Sequence, residues 1–301
     1  MLNNAHFSGR SASRSGALGA LALIATALVV GLAAAPAAAA PSAASSAAAS
    51  SSAATGVVTG WSPPAARGYV ALGDSFTAGQ GAPPYRDDTC KQSRYASYPT
   101  IAAVFSLYRL TANKACSGAT VAATAAQLVG VAGDTKLVTL TVGGIDAGSN
   151  DVLAACALNP DPNVDPCRTA LATSAAKLAA LGPQLVGLYS TIAATLPNAK
   201  VVVLNYPRLF NPGVAPLGDL VNQSSDALNA VIAGAVAATA NPRVTLVDVT
   251  QEFAGHGIGS KLPYIAFDPA NLLASANFHP NALGNGLGYA RALANDRVLS
   301  R

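Results

Sequence analysis

Two positions in this chain have the residue types needed for acyl-transfer chemistry. Ser75 lies in Gly73-Asp74-Ser75-Phe76, directly after the apolar run Tyr69-Val70-Ala71-Leu72, and His279 lies in Phe278-His279-Pro280-Asn281 near the far end. A serine is a useful nucleophile only with a base in reach and donors aimed at the developing oxyanion. An apolar strand ending at Gly73 puts Ser75 just beyond the strand's carboxyl end, where open α/β sheets bind ligands. Gly73 permits the sharp turn, and Asp74 and Ser75 suit the start of a helix. Alone, Gly-Asp-Ser is better read as a helix cap, and the case for a nucleophile must come from the rest of the chain. His279, fixed by a following Pro and Asn, is placed to face a crevice. His256, in Ala254-Gly255-His256-Gly257-Ile258-Gly259, reads as part of a mobile turn and is the reserve base. The chain has no CxxC pair for zinc, no Walker-type loop and no basic stripe for nucleic acid. No metal and no cofactor is expected.

Five segments have the composition of buried strands: Tyr69–Leu72, Tyr108–Ala112, Leu137–Val142, Lys200–Asn205 and Arg243–Val247. Leu-Val-Thr-Leu-Thr-Val and Lys-Val-Val-Val-Leu have the β-branched richness of strands covered on both faces. Helices are expected over Tyr98–Ser106, Ala119–Val129, Asn222–Ala238 and Asn281–Ala294. Asp165-Pro166 opens a further long helix as N-cap and first residue, which Gly182-Pro183 should break or kink before it stops at Leu196. Alternating strands and helices predict an α/β fold: a five-stranded parallel sheet between helical layers, in one domain over residues 67–301.

The residues before that domain read as processing sequence. Arg10 and Arg14 precede the uncharged apolar run Ala17–Ala35, and Pro36 with Ala37–Ala40 makes a small-residue cleavage site, so 1–40 is expected to be a secretory signal. Its loss lowers the formal net charge from +4 to +2. Residues 41–66 form an uncharged Ser/Ala-rich flexible leader, with Trp61 at its end available to dock. Four cysteines in an exported chain suggest two disulfides, for which three pairings exist. Neighbour pairing, Cys90–Cys116 and Cys156–Cys167, is favoured.

With these blocks in order, the chain resembles the SGNH (GDSL-type) hydrolases, and most closely their secreted actinobacterial lipase and esterase branch. Besides Gly-Asp-Ser and Phe-His-Pro-Asn, the resemblance rests on Ala115-Cys116-Ser117-Gly118-Ala119-Thr120, on Leu137–Gly144 and on the Ala-Gly-His-Gly-Ile-Gly segment. It implies a flavodoxin-like three-layer α/β/α sandwich, with Ser75 as nucleophile and His279 as general base. The backbone N–H groups of Ser75 and Gly118 would be oxyanion donors. Two positions depart from the family pattern. Where Gly-x-Asn-Asp is usual, a gapless match gives Gly143-Gly144-Ile145-Asp146, and Gly148-Ser149-Asn150-Asp151 spells the motif five residues later. Asn150 is therefore either the third donor or an N-cap for the following helix. The usual Asp three residues before the histidine is Ala276, so a backbone carbonyl near Ser275 or Ala276 is expected to orient His279, with Asp268 a more distant substitute.

The implied function is a secreted carboxylic-ester hydrolase acting on an ester or lipid substrate, with no nucleic-acid partner, no stable membrane anchor after signal cleavage, and a monomeric state. The alternatives are a polysaccharide O-deacetylase on the same fold and a non-catalytic binding module on a decayed scaffold. Tyr85, Tyr95, Phe210 and Tyr264 are candidates to line the acyl pocket.

Overall fold

The computed structural model of the chain describes residues 67–156 and 161–300. The expected signal and leader, Trp61 included, lie outside them. In chain order the elements are β1 (Arg67–Gly73), α1 (Ser75–Ala78), β2 (Tyr85–Asp87), β3 (Gln92–Ser93), α2 (Tyr98–Val104), β4 (Tyr108–Asn113), α3 (Val121–Ala126), β5 (Leu137–Thr141), α4 (Ser149–Cys156), α5 (Cys167–Thr195), β6 (Lys200–Leu204), α6 (Pro216–Ala238), β7 (Val244–Val247), a π-helical stretch Gly284–Ala290, and α7 (Arg291–Asn295). The main sheet has five strands in the order β4-β1-β5-β6-β7. Every pairing in it is parallel. The five segments expected as strands are these five. β2 and β3 form a separate antiparallel pair.

Period-two alternation divides the core into two layers. Val70 and Leu72 of β1, Val138 and Leu140 of β5, and Val201 and Val203 of β6 face one side, packed with Leu181, Leu185 and Ile192 of α5 and Ile232 of α6. Tyr69 and Ala71, Leu137, and Val202 and Leu204 face the other, against Tyr98 of α2, Tyr289 of the π-helical stretch and Leu293 of α7. Both faces are covered, as the β-branched runs required.

Several helix bounds differ from the sequence reading, each for a local reason. α5 runs through Gly182-Pro183 without a break. Pro183 forfeits one backbone bond, but buried Leu181, Leu185, Leu188 and Ile192 hold the helix against the sheet on both sides of it. Its N-cap is Pro166, and the Asp165 carboxylate instead accepts from the side chains of Arg168 and Thr169. α6 starts six residues early because Pro216 serves as its first residue after extended Ala215. The last helix is π-wound at its start, where the Asn285 side chain donates to the Pro280 and Asn281 carbonyls and so competes with the ordinary ladder.

The disulfides are Cys90–Cys116 and Cys156–Cys167. The first ties the β3 approach to the turn carrying Gly118. The second ties the end of α4 to the start of α5.

Gly73 ends β1 at φ 117°, and a Cβ there would sit 2.1 Å from the Thr141 carbonyl of β5. Gly73→Ala is therefore expected to lower stability by about 3 kcal/mol or more. An unchanged urea midpoint for the variant would contradict this close approach.

Candidate active site

The site is assembled by the turn after β1 and by the loop before the π-helical stretch. Ser75, 6% exposed, opens α1 behind Asp74, whose Oδ1 accepts from the Phe76 N–H at 3.0 Å. The turn is clamped from both sides. Gln127, the C-cap of α3, accepts from the Gly73 N–H at 2.7 Å and donates to its carbonyl at 2.9 Å. Asp74 N donates to the Thr141 carbonyl at 3.1 Å.

His279 Nε2 lies 2.8 Å from Ser75 Oγ. Its Nδ1 lies 2.7 Å from the Asn277 backbone carbonyl. A carbonyl can only accept, so Nδ1 carries the proton and the Nε2 lone pair is left to accept from the serine hydroxyl. The orienting carbonyl is thus one residue beyond the Ser275–Ala276 region expected from the sequence. Between Asn277 and His279, Phe278 sits in the left-handed region at φ 62°. Asn277 is itself fixed, accepting from the Asp268 N–H at 2.7 Å and donating to the Asn271 carbonyl at 2.8 Å. The Asp268 carboxylate does not reach the imidazole; its Oδ1 accepts from the Ala270 N–H. His256 stacks on Tyr264 at 3.9 Å, with Nδ1 2.9 Å from the Leu262 carbonyl. That contact holds a loop together and brings no serine to its ring.

Gln80 ties the segments around the pair together. Only 8% exposed, it accepts from Ser117 Oγ at 2.5 Å and donates to the Ser275 carbonyl at 2.5 Å, while its own N–H donates to the Ser75 carbonyl. The Gly118 turn, the Ser75 turn and the histidine loop thus meet at one amide. Beside it, a Cβ on Gly81 would lie 2.4 Å from the Pro280 carbonyl and 2.6 Å from that of His279. Only glycine allows the histidine loop to come this close. Neither residue stood out by spacing, though Gly79-Gln80-Gly81 directly follows the nucleophile motif.

Gly118 is exposed on its turn, and Asn150 is exposed on α4. Asn150 is the second residue of α4, so it is not the cap. It lines the same cavity as Ser75 and His279. Ile145 lines that cavity too, contributing apolar wall where a donor is usual. Asp146 accepts from the Val121 N–H with both oxygens, at 3.2 and 3.0 Å, and so ties the β5–α4 turn to the start of α3.

The cavity, about 240 Å³, is walled by Leu153, Leu178, Leu209, Phe210, Val221 and Phe278 among others. Of the aromatic candidates, Phe210 lines it. Tyr85, Tyr95 and Tyr264 do not. Tyr206, unnoticed in the sequence, makes a short hydrogen bond from its hydroxyl to Asp74 Oδ2 and accepts from the Gly144 N–H at 3.3 Å.

Burial shifts the titrating groups in opposite directions. It pushes His279 down to about 4, against a weaker opposing effect from the Asn277 carbonyl. It pushes Asp74 up to about 6, opposed by hydrogen bonds from Tyr206, Thr141 and the Phe76 N–H.

A five-stranded parallel sheet between helical layers, with a serine hydroxyl beside an imidazole beyond its strand ends, is the α/β/α arrangement of the SGNH hydrolases. The chain belongs to the GDSL-like Lipase/Acylhydrolase family, whose pattern matches residues 71–287, and is a carboxylic-ester hydrolase. It is 36% identical over 242 residues to Lipase 1 of Streptomyces coelicolor, covering 77% of this chain and 87% of that one. The extracellular lipase of Streptomyces rimosus superposes with a TM-score of 0.68 at 34% identity, covering 76% of this chain and 99% of the other. Phospholipase A1 of Streptomyces albidoflavus gives 0.68 at 33%, covering 77% and 99%.

His279 as a general base would have to be neutral to accept a proton, so activity is expected to be lost as pH falls through its folded-state value. The acid limb of kcat/KM is expected near pH 4, in place of the ordinary histidine range near 6.5. Any second inflection near pH 6 belongs to Asp74 and should vanish in Asp74→Asn. An acid limb at 6.5 in both proteins would contradict the desolvated imidazole.

Proposed function

We propose that the chain is an exported lipase or esterase that cleaves fatty acyl esters through an acyl-serine intermediate formed by a Ser75–His279 dyad. The observation that carries this reading is the 2.8 Å contact from Ser75 Oγ to His279 Nε2 on the wall of an apolar cavity. Ser75 Oγ attacks the ester carbonyl carbon while its proton passes to Nε2. The tetrahedral intermediate collapses as Nε2–H protonates the departing alkoxide, leaving the acyl group on Ser75. Water then gives a proton to the same nitrogen and attacks the acyl carbon, and collapse returns the proton to Ser75 and frees the acid. The Asn277 carbonyl keeps Nε2 facing the serine throughout. The Ser75 and Gly118 N–H groups and the Asn150 amide are the proposed oxyanion donors.

Export is supported by the processing sequence over 1–40, by two disulfides and by the extracellular lipase of S. rimosus among the relatives. The apolar walls favour an acyl chain over an acetylated sugar.

Ser75→Ala and His279→Ala are each expected to remove most p-nitrophenyl ester hydrolysis, and the double variant should be little slower than either single one. Full turnover in Ser75→Ala would displace the nucleophile. For Asn150→Ala, an oxyanion role predicts a kcat lower by about two orders of magnitude at nearly constant KM. Unchanged kcat would leave a two-donor hole.

A further inference from the structure

The catalytic cavity shares a wall with a second one. Between α5 and α6 lies a further groove of about 240 Å³, lined by Leu171, Ala175, Leu220, Gln223 and Ala227. Ser174, Leu178 and Ser224 line both spaces. These three residues form the partition between the two spaces. Two of its three members are small. The Ser224 hydroxyl turns back to donate to the Leu220 carbonyl at 3.0 Å, which leaves little but its Cβ in the wall. Leu178 is the one bulky member, half-buried at the rim of the core.

We propose that the α5–α6 groove is the distal subsite for the acyl chain, entered past Leu178, and that Leu178 sets the chain length the enzyme accepts. The inference deepens the ester-hydrolase reading and rests on it. The occupant follows from continuity with the space beside Ser75 and His279, and from a groove lining with no charged residue. Capacity points the same way. A cavity of about 150 Å³ holds a six-carbon benzene. By that scale about 240 Å³ takes an acyl chain of about ten carbons. A decanoyl chain then fits the first space alone, and a palmitoyl chain needs both.

The test compares p-nitrophenyl butyrate, decanoate and palmitate, each in the same detergent dispersion. Ala227 is exposed, and it lines the groove but not the catalytic cavity. Ala227→Trp should therefore fill the distal space without disturbing the fold or the dyad. The expected result is a kcat/KM for palmitate lower by about tenfold, with butyrate and decanoate changed by less than about twofold. Leu178→Ala should raise the palmitate-to-butyrate ratio by opening the partition. A palmitate-to-butyrate ratio in Ala227→Trp equal to that of the unaltered chain would overturn the distal subsite while leaving ester hydrolysis in place. No cleavage of butyrate by the unaltered chain would remove the underlying reading as well.

Discussion

A hydrogen bond between residues 204 positions apart governs the architecture of this site. Ser75 Oγ and His279 Nε2 must lie 2.8 Å from one another, yet each belongs to a different end of the domain. Ser75 is set by the central part of the sheet, where β1 has β4 on one side and β5 on the other. His279 arrives on a loop that follows the last strand. Bringing the two together requires close backbone approach at Gly81 and a cross-tie at Gln80. It also requires the left-handed turn at Phe278, a conformation an aromatic residue adopts only when its surroundings impose it.

Beneath the serine, a buried chain of hydroxyls and one carboxyl group runs from Tyr206 through Asp74, Thr141, Thr77, Tyr98 and Thr139 to Tyr69. It crosses from one side of the sheet to the other and joins β1, β5, α2 and the segment after β6. Such a network specifies position when every member has a partner. Asp74 and Tyr206, at one end of it, border the cavity, and the rest hold the Ser75 turn from beneath. Removing this region from water also explains the shifted acid–base properties. His279 has a neutral carbonyl as its orienting partner, so nothing anionic offsets the cost of charging a desolvated ring. In this site the tautomer is fixed by geometry, and the imidazole remains neutral well below its usual range.

The sheet was legible because its signal is local and repeated: Leu137–Thr141 and Lys200–Leu204 are rich in β-branched residues, uncharged apart from Lys200, and bounded by turn residues. The roles proposed for Ser75 and His279 came from ordered motifs, which survive without knowledge of distance. What was missed depends on three-dimensional meeting. Gln80, Tyr206 and Asn277 have no periodicity and no motif, and each acquires a role only when segments far apart in sequence converge. The misjudged break at Pro183 shows the same limit. A local rule gave one lost backbone bond, whereas burial of four neighbouring side chains kept the helix whole.

The most direct test of the dyad is covalent labelling by a p-nitrophenyl alkylphosphonate, read by intact-protein mass and peptide mapping. A nucleophile made by Ser75 and His279 predicts one adduct per chain, on the peptide containing Ser75, with labelling largely lost in His279→Ala. Modification of a different residue, or labelling at the same rate without His279, would contradict it.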